Sequence, residues 1–66
     1  MDRKSICIKI AQIRQSKNIS AYELSLRLDK AANYMSYVEM GKVNIKLDTL
    51  LMICKELGIN PKELFD

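Results

Sequence analysis

An all-α fold, a compact bundle of five short helices in a single domain over residues 1–66, is what three features of this chain predict. Hydrophobic residues make up 48% of it with one Phe and no Trp, so the core must be aliphatic. One Pro and two Gly are too few for a turn-rich β protein. The apolar residues recur mainly at the three- and four-residue intervals of helices. At 66 residues the chain lies near the lower limit at which burial alone sustains folding, so it needs an efficient core or a partner.

Helix 1 carries Ile6, Ile10, Ile13 and the aliphatic stem of Lys17 on one face. Its opening, SICIKI, also alternates with period two and would allow a short extended start, but the helical pattern continues through Ile13 and no turn signal divides the segment. SKN ends the helix, and Asn18 suits a left-handed cap. Helix 2 begins with a capping box, in which Ser20 accepts from the Glu23 amide and the Glu23 side chain returns to the Ser20 amide. Ala21, Leu24 and Leu28 form its core stripe before Asp29 and Lys30 interrupt the pattern. Helix 3, at about 32–40, turns Met35, Val38 and Glu39 to one side and Asn33, Ser36, Tyr37 and Met40 to the other, and Gly41 closes it. Helix 4 buries Leu47, Leu50, Leu51, Cys54 and Leu57 and stops at Gly58. Asn60, Pro61 and Glu63 repeat the cap, first-turn proline and returning carboxylate for a last short helix ending near Phe65. With loops of about two to five residues and a tight connection between helices 2 and 3, the arrangement is a helix-turn-helix.

Several functions are excluded by composition. Two cysteines without histidine cannot furnish the paired ligands of a tetrahedral zinc site, so Cys7 and Cys54 read as small buried apolar residues, with no metal or other cofactor. An enzyme is not expected: there is no histidine, no carboxylate cluster, no glycine-rich phosphate loop and no nucleophile–base pair, and so short a chain leaves little room for a cleft. No run approaches the ~18 apolar residues of a membrane span and no signal segment follows the basic start, which predicts a cytoplasmic protein without membrane contact. No effector domain, and so no small-molecule effector, is expected. Residues 1–46 hold nine basic and four acidic side chains, whereas residues 47–66 hold two basic and four acidic. The positive field over the first two-thirds suits a polyanion, or simply a solvated mixed surface.

Helix 3 is unusual in AANYMSYVEMGK, where Glu39 is the sole charge before Lys42. Base edges are read by hydrogen bonds and apolar contacts while phosphates take the charges, so a polar, uncharged face suits a duplex groove. Asn33 fits bidentate contact with adenine, Ser36 donates or accepts, and Tyr37 reaches a thymine methyl or a phosphate. Lys30, Lys42 and Lys46 flank the helix as backbone anchors.

Ile10-x-x-Ile13-Arg14, the opening from Ser20 to Leu24, Met35-x-x-Val38-Glu39-x-Gly41, Leu47-Asp48-Thr49-Leu50-Leu51 and the tail LGINPKELF follow one another over nearly the whole chain. In that order and spacing they resemble the Cro and phage-repressor type of helix-turn-helix domain, the XRE-like regulators of bacteria. The resemblance implies a lambda-repressor-like domain in a small transcriptional regulator, a repressor, that binds double-stranded DNA sequence-specifically, with helix 3 in the major groove and helix 2 across the backbone. Matched by position, Ala32, Asn33, Ser36 and Tyr37 face bases, while Lys42, Val43 and Asn44 form a loop that meets phosphate. Ser20 and the flanking Lys30 and Lys46, which are not part of that match, are expected on the phosphate side as well. Glu39 matches a carboxylate paired with the arginine that Arg14 matches, tying helix 3 to helix 1. The chain departs from the pattern at Ala21, where glutamine is frequent, at Ser25, where a small alanine is usual, and at Asp29, where glycine is common. Lys30, Ala31 and Ile45 depart from it as well.

A second reading keeps the fold but makes it a protein-interaction module or antitoxin-like component. Tyr22 and Leu26 lie one turn apart opposite the core stripe of helix 2, and Ile8, Met40 and Met52 stand where polar residues are usual. These are isolated surface residues or a partner surface, most often for a second copy. A homodimer on a palindromic operator follows from the first reading, with Met52 and the region around Phe65 at its interface rather than Tyr22 and Leu26, because helix 2 must stay close to DNA.

Overall fold

A computed structural model describes residues 2–65, and among them every regular element is helical. The order is α1 (Arg3–Ser16), α2 (Ala21–Arg27), α3 (Tyr34–Glu39), α4 (Leu47–Leu57) and a 3-10 helix at Pro61–Leu64. The radius of gyration, 10.5 Å, is that of a close-packed domain of this length. The core draws Cys7 and Ile10 from α1, Leu24 and Leu28 from α2 and its cap, Met35 and Val38 from α3, Ile53, Cys54 and Leu57 from α4, and Leu64 from the last turn. It is aliphatic, as composition requires, and burial raises both thiols above their ordinary pKa, so Cys7 and Cys54 remain neutral packing groups.

Among the described residues the bundle therefore has four α-helices, not five. At Pro61–Leu64 the complete capping box on Asn60 and Glu63 forms, with Asn60 accepting from Lys62 N at 2.9 Å and Glu63 Oε2 accepting from Asn60 N at 2.9 Å. Four residues are too few to establish i→i+4 bonds, and the segment closes with i→i+3 bonds instead, Phe65 N to Lys62 O at 3.1 Å.

Of the two starts open to α1 the helical one forms, and four other expectations are corrected. The start of α1 is helical from Arg3, capped by Asp2 accepting from Ser5 N at 2.8 Å, a bond that lowers the Asp2 pKa. Its buried line is Cys7, Ile10 and Arg14, while Ile6 and Ile13 only flank the core and Lys17 is exposed. In helix 2, Ser20 Oγ accepts from Glu23 N at 2.9 Å, but the Glu23 carboxylate pairs forward with Arg27, so only half of the capping box forms. On α4 the apolar arc is wider than the core beneath it: Ile53 is fully buried, whereas Leu47 and Leu51 are 69% and 47% exposed. The loop from α3 to α4, residues 40–46, also runs longer than expected.

All four α-helices end in the same backbone motif. A residue with positive φ follows the last turn, Asn18, Asp29, Gly41 and Gly58, at 59°, 61°, 78° and 69°. In α3 the Gly41 amide reaches Val38 O at 3.0 Å and the Lys42 amide reaches Tyr37 O at 2.9 Å, the two reverse bonds of a Schellman turn. Asp29 and Lys30 make the equivalent pair to Leu26 O and Ser25 O, each at 3.0 Å. The stop signals expected at Asn18, Gly41 and Gly58 thus form where they stand, and Asp29 takes the place of a glycine at the helix-turn-helix corner.

Candidate nucleic-acid interface

α3 is short, and polar bonds at both ends of its inner face decide how it sits. At the N-terminal end Ser25, fully buried, donates through Oγ to Ala21 O at 2.8 Å and accepts from Met35 N at 2.9 Å. Met35 N is one of the first-turn amides a helix cannot satisfy internally, and Asn33, the N-cap, makes no side-chain bond. A serine on α2 therefore does the capping across the turn. The sequence held one signal for this, a hydroxyl inside an apolar stripe, which needs a partner once buried.

At the other end Arg14 Nε donates to Glu39 Oε2 at 2.8 Å and Nη2 to Oε1 at 2.9 Å, a two-pronged bond, while Nη1 donates to Ile19 O at 2.7 Å. Arg14 is only 8% exposed. The hydrogen bonds it donates to the Glu39 carboxylate raise its pKa further against a desolvation cost, so the guanidinium holds a permanent charge. The pair joins the ends of α1 and α3, and the bond to Ile19 adds the α1–α2 connection.

With its inner face fixed, α3 presents Ser36 and Tyr37 to solvent. Ala32 and Asn33 are exposed as well, but they lie in the turn before the helix, because α3 begins at Tyr34 and not at 32. Tyr34 N bonds to Ala31 O at 3.0 Å there, and neither Ala31 nor Asn33 supplies a side-chain cap that would extend the helix backward. Lys30, Lys42, Asn44 and Lys46 are exposed around this face. Val43 differs, since its side chain packs against the core and leaves the main chain as its polar group. Ser20 is exposed with Oγ engaged by Glu23 N. Away from α3, the apolar side chains of Tyr22, Leu26, Met52 and Phe65 are about half exposed or more.

A cleft of about 550 Å³ lies between the start of α1 and the end of α3, more room than the chain length suggested. Of its lining groups Glu39 is bound to Arg14 and the Cys7 thiol is raised by burial, so neither is an activated base or nucleophile. Among the described residues no group of three or more Cys, Asp or Glu is placed to hold a metal ion, and no helix is long and apolar enough to cross a membrane.

Two comparisons bear on this geometry. A family model described as the Cro/C1-type helix-turn-helix DNA-binding domain matches residues 9–66. Control protein C.BamHI of Bacillus amyloliquefaciens is 42% identical over 59 residues, covering 88% of this chain and 73% of that protein. The family match includes the α2–α3 corner, the exposed face of α3 and both of the polar ties that set it, and on that ground the chain belongs to the Cro/C1-type helix-turn-helix DNA-binding family.

Proposed function

We propose that this domain is the sequence-reading part of a small cytoplasmic transcriptional repressor, without catalytic activity, which binds a palindromic double-stranded operator as a homodimer. In this reading α3 enters the major groove, Asn33, Ser36 and Tyr37 read base edges with Ala32 beside them, and Ser20, Lys30, Lys42, Asn44, Lys46 and the Val43 amide face phosphates. The observation that carries it is the division of α3: an uncharged hydrogen-bonding outer face with lysines at both ends, and an inner face held by Ser25 and Arg14. The relative's description as a control protein supports a regulatory role. Met52 and Phe65 are the candidate dimer contacts, and the exposed Leu47 and Leu51 add apolar surface to the same helix as Met52.

Selection of bound sequences from a random duplex pool tests the reading, with enrichment of a palindrome as the expected result. Asn33→Ala then lowers operator discrimination by about 1 to 3 kcal/mol while the protein stays folded. Lys42→Ala weakens operator and random duplex alike and reduces the slope of log K against log salt by up to about 0.9. A folded Asn33→Ala variant with unchanged specificity removes that residue from base reading. Sedimentation equilibrium with and without duplex decides the dimer, which a chain monomeric in both would refute.

A further inference from the structure

The two lysines at the ends of α3 are each fixed twice. Lys30 is held by its main chain, whose amide bonds to Ser25 O, and its ammonium lies 5.4 Å from the centre of the Tyr34 ring. Lys42 is held by its amide on Tyr37 O, and its ammonium lies 6.0 Å from the centre of the Tyr37 ring. The same device thus stands at the entry to the helix and at its exit: a Schellman turn sets the lysine backbone, and a tyrosine of α3 sets the side chain. A free lysine has four rotatable side-chain bonds, and ordering them on a phosphate costs entropy at the moment of binding. A ring face that attracts the ammonium beforehand removes part of that cost.

We infer that Tyr34 and Tyr37 are positioning residues that hold the Lys30 and Lys42 ammonium groups at the two ends of α3 for contact with the DNA phosphate backbone. The inference rests on the proposed DNA reading and adds a role to it. Tyr34 is the more telling of the two, because it is partly buried against the core and has no assigned contact with bases. The rings act through the lysines, so their removal lowers affinity without lowering the number of charges that reach phosphate.

The test measures binding to a random-sequence duplex over a range of salt, for the parent, Tyr34→Leu, Tyr34→Phe, Lys30→Gln and the Tyr34→Leu, Lys30→Gln double variant. Tyr34→Leu is expected to bind about two- to fivefold more weakly with an unchanged salt slope, the size of an exposed cation–π contact. Tyr34→Phe keeps the ring and binds as the parent does. Lys30→Gln lowers the slope by up to about 0.9, and in that background Tyr34→Leu has no further effect. The Tyr37–Lys42 pair follows the same pattern with random duplex, where base reading drops out. An equal loss from Tyr34→Leu with and without Lys30, or no loss at all, overturns the inference, as does a Phe variant as weak as the Leu variant. Proton NMR of the free chain gives a readout independent of DNA: the Lys30 ε-methylene resonances are displaced upfield by the ring in the parent and return in Tyr34→Leu. Their absence from the upfield region in the parent overturns the pairing alone, whereas a parent that binds no duplex overturns the DNA reading together with it.

Discussion

α3 and α4 cover the same core by different means. α4 contributes Ile53, Cys54 and Leu57 to it and is anchored there by apolar packing, which resists separation but tolerates small rotations. α3 also buries Met35 and Val38, yet its two ends are fixed by directed bonds, Ser25 to Met35 N and Arg14 to Glu39. Hydrogen bonds weaken steeply with misalignment, so they set the rotation and register of a helix in a way that burial does not. A helix that must show a defined face needs that restraint. The difference is energetic as well, since removing one partner of a directed bond strands the other in a low-dielectric site.

The largest effect that would break or sharpen this contrast comes from Arg14→Ala. With side-chain exposures of only 10% and 13% in the pair, leaving Glu39 unpaired should cost roughly 3 to 5 kcal/mol in urea unfolding, and the folded fraction should also lose operator affinity because α3 is no longer held. Ile53→Ala should cost about 3 kcal/mol through a cavity under α4, while its folded fraction binds like the parent. Equal losses of affinity in the two folded variants would erase the distinction between the helices.

Ser25→Ala is next in size. It restores the alanine usual in the family but strands the Met35 amide, so a loss of about 1 to 3 kcal/mol by thermal melting is expected in spite of the better helix propensity of alanine. A variant that melts higher than the parent would show that Met35 N finds another acceptor.

The smallest effects concern the two turns that bracket α3, which share a backbone motif but differ in residue. Asp29 holds a left-handed φ of 61° that glycine adopts freely, so Asp29→Gly should stabilise the domain by up to about 1 kcal/mol. At the exit Gly41, with φ 78°, has open space where a Cβ would stand, with no neighbouring atom within 4 Å, so Gly41→Ala should lose about 1 kcal/mol from backbone strain alone. Chemical denaturation of both variants checks the opposite signs.

The helix ends were legible in the residues themselves. Asn18, Gly41, Gly58 and the Asn60–Glu63 cap act through bonds that span two to five positions, and the alternation of Met35 and Val38 with Ser36 and Tyr37 separates the two faces of α3 by helical geometry alone. What lies under each apolar residue was not legible. Leu47, Leu51 and Ile53 are alike in being large and aliphatic, and only the way α4 packs on α2 and the final turn leaves the first two in solvent and seals the third. Glu23 had two neighbours within one turn, the Ser20 amide behind and Arg27 ahead, and its choice depended on side-chain geometry. Ser25 gained its meaning from an amide ten residues away, and Leu64 of the four-residue 3-10 turn gained its place in the core only from the helices it meets. Local sequence thus determines where this chain stops and which face of a helix is apolar, because those depend on neighbours a turn away. Tertiary structure decides which apolar and polar groups are covered, because burial belongs to contacts between segments that the chain brings together only on folding.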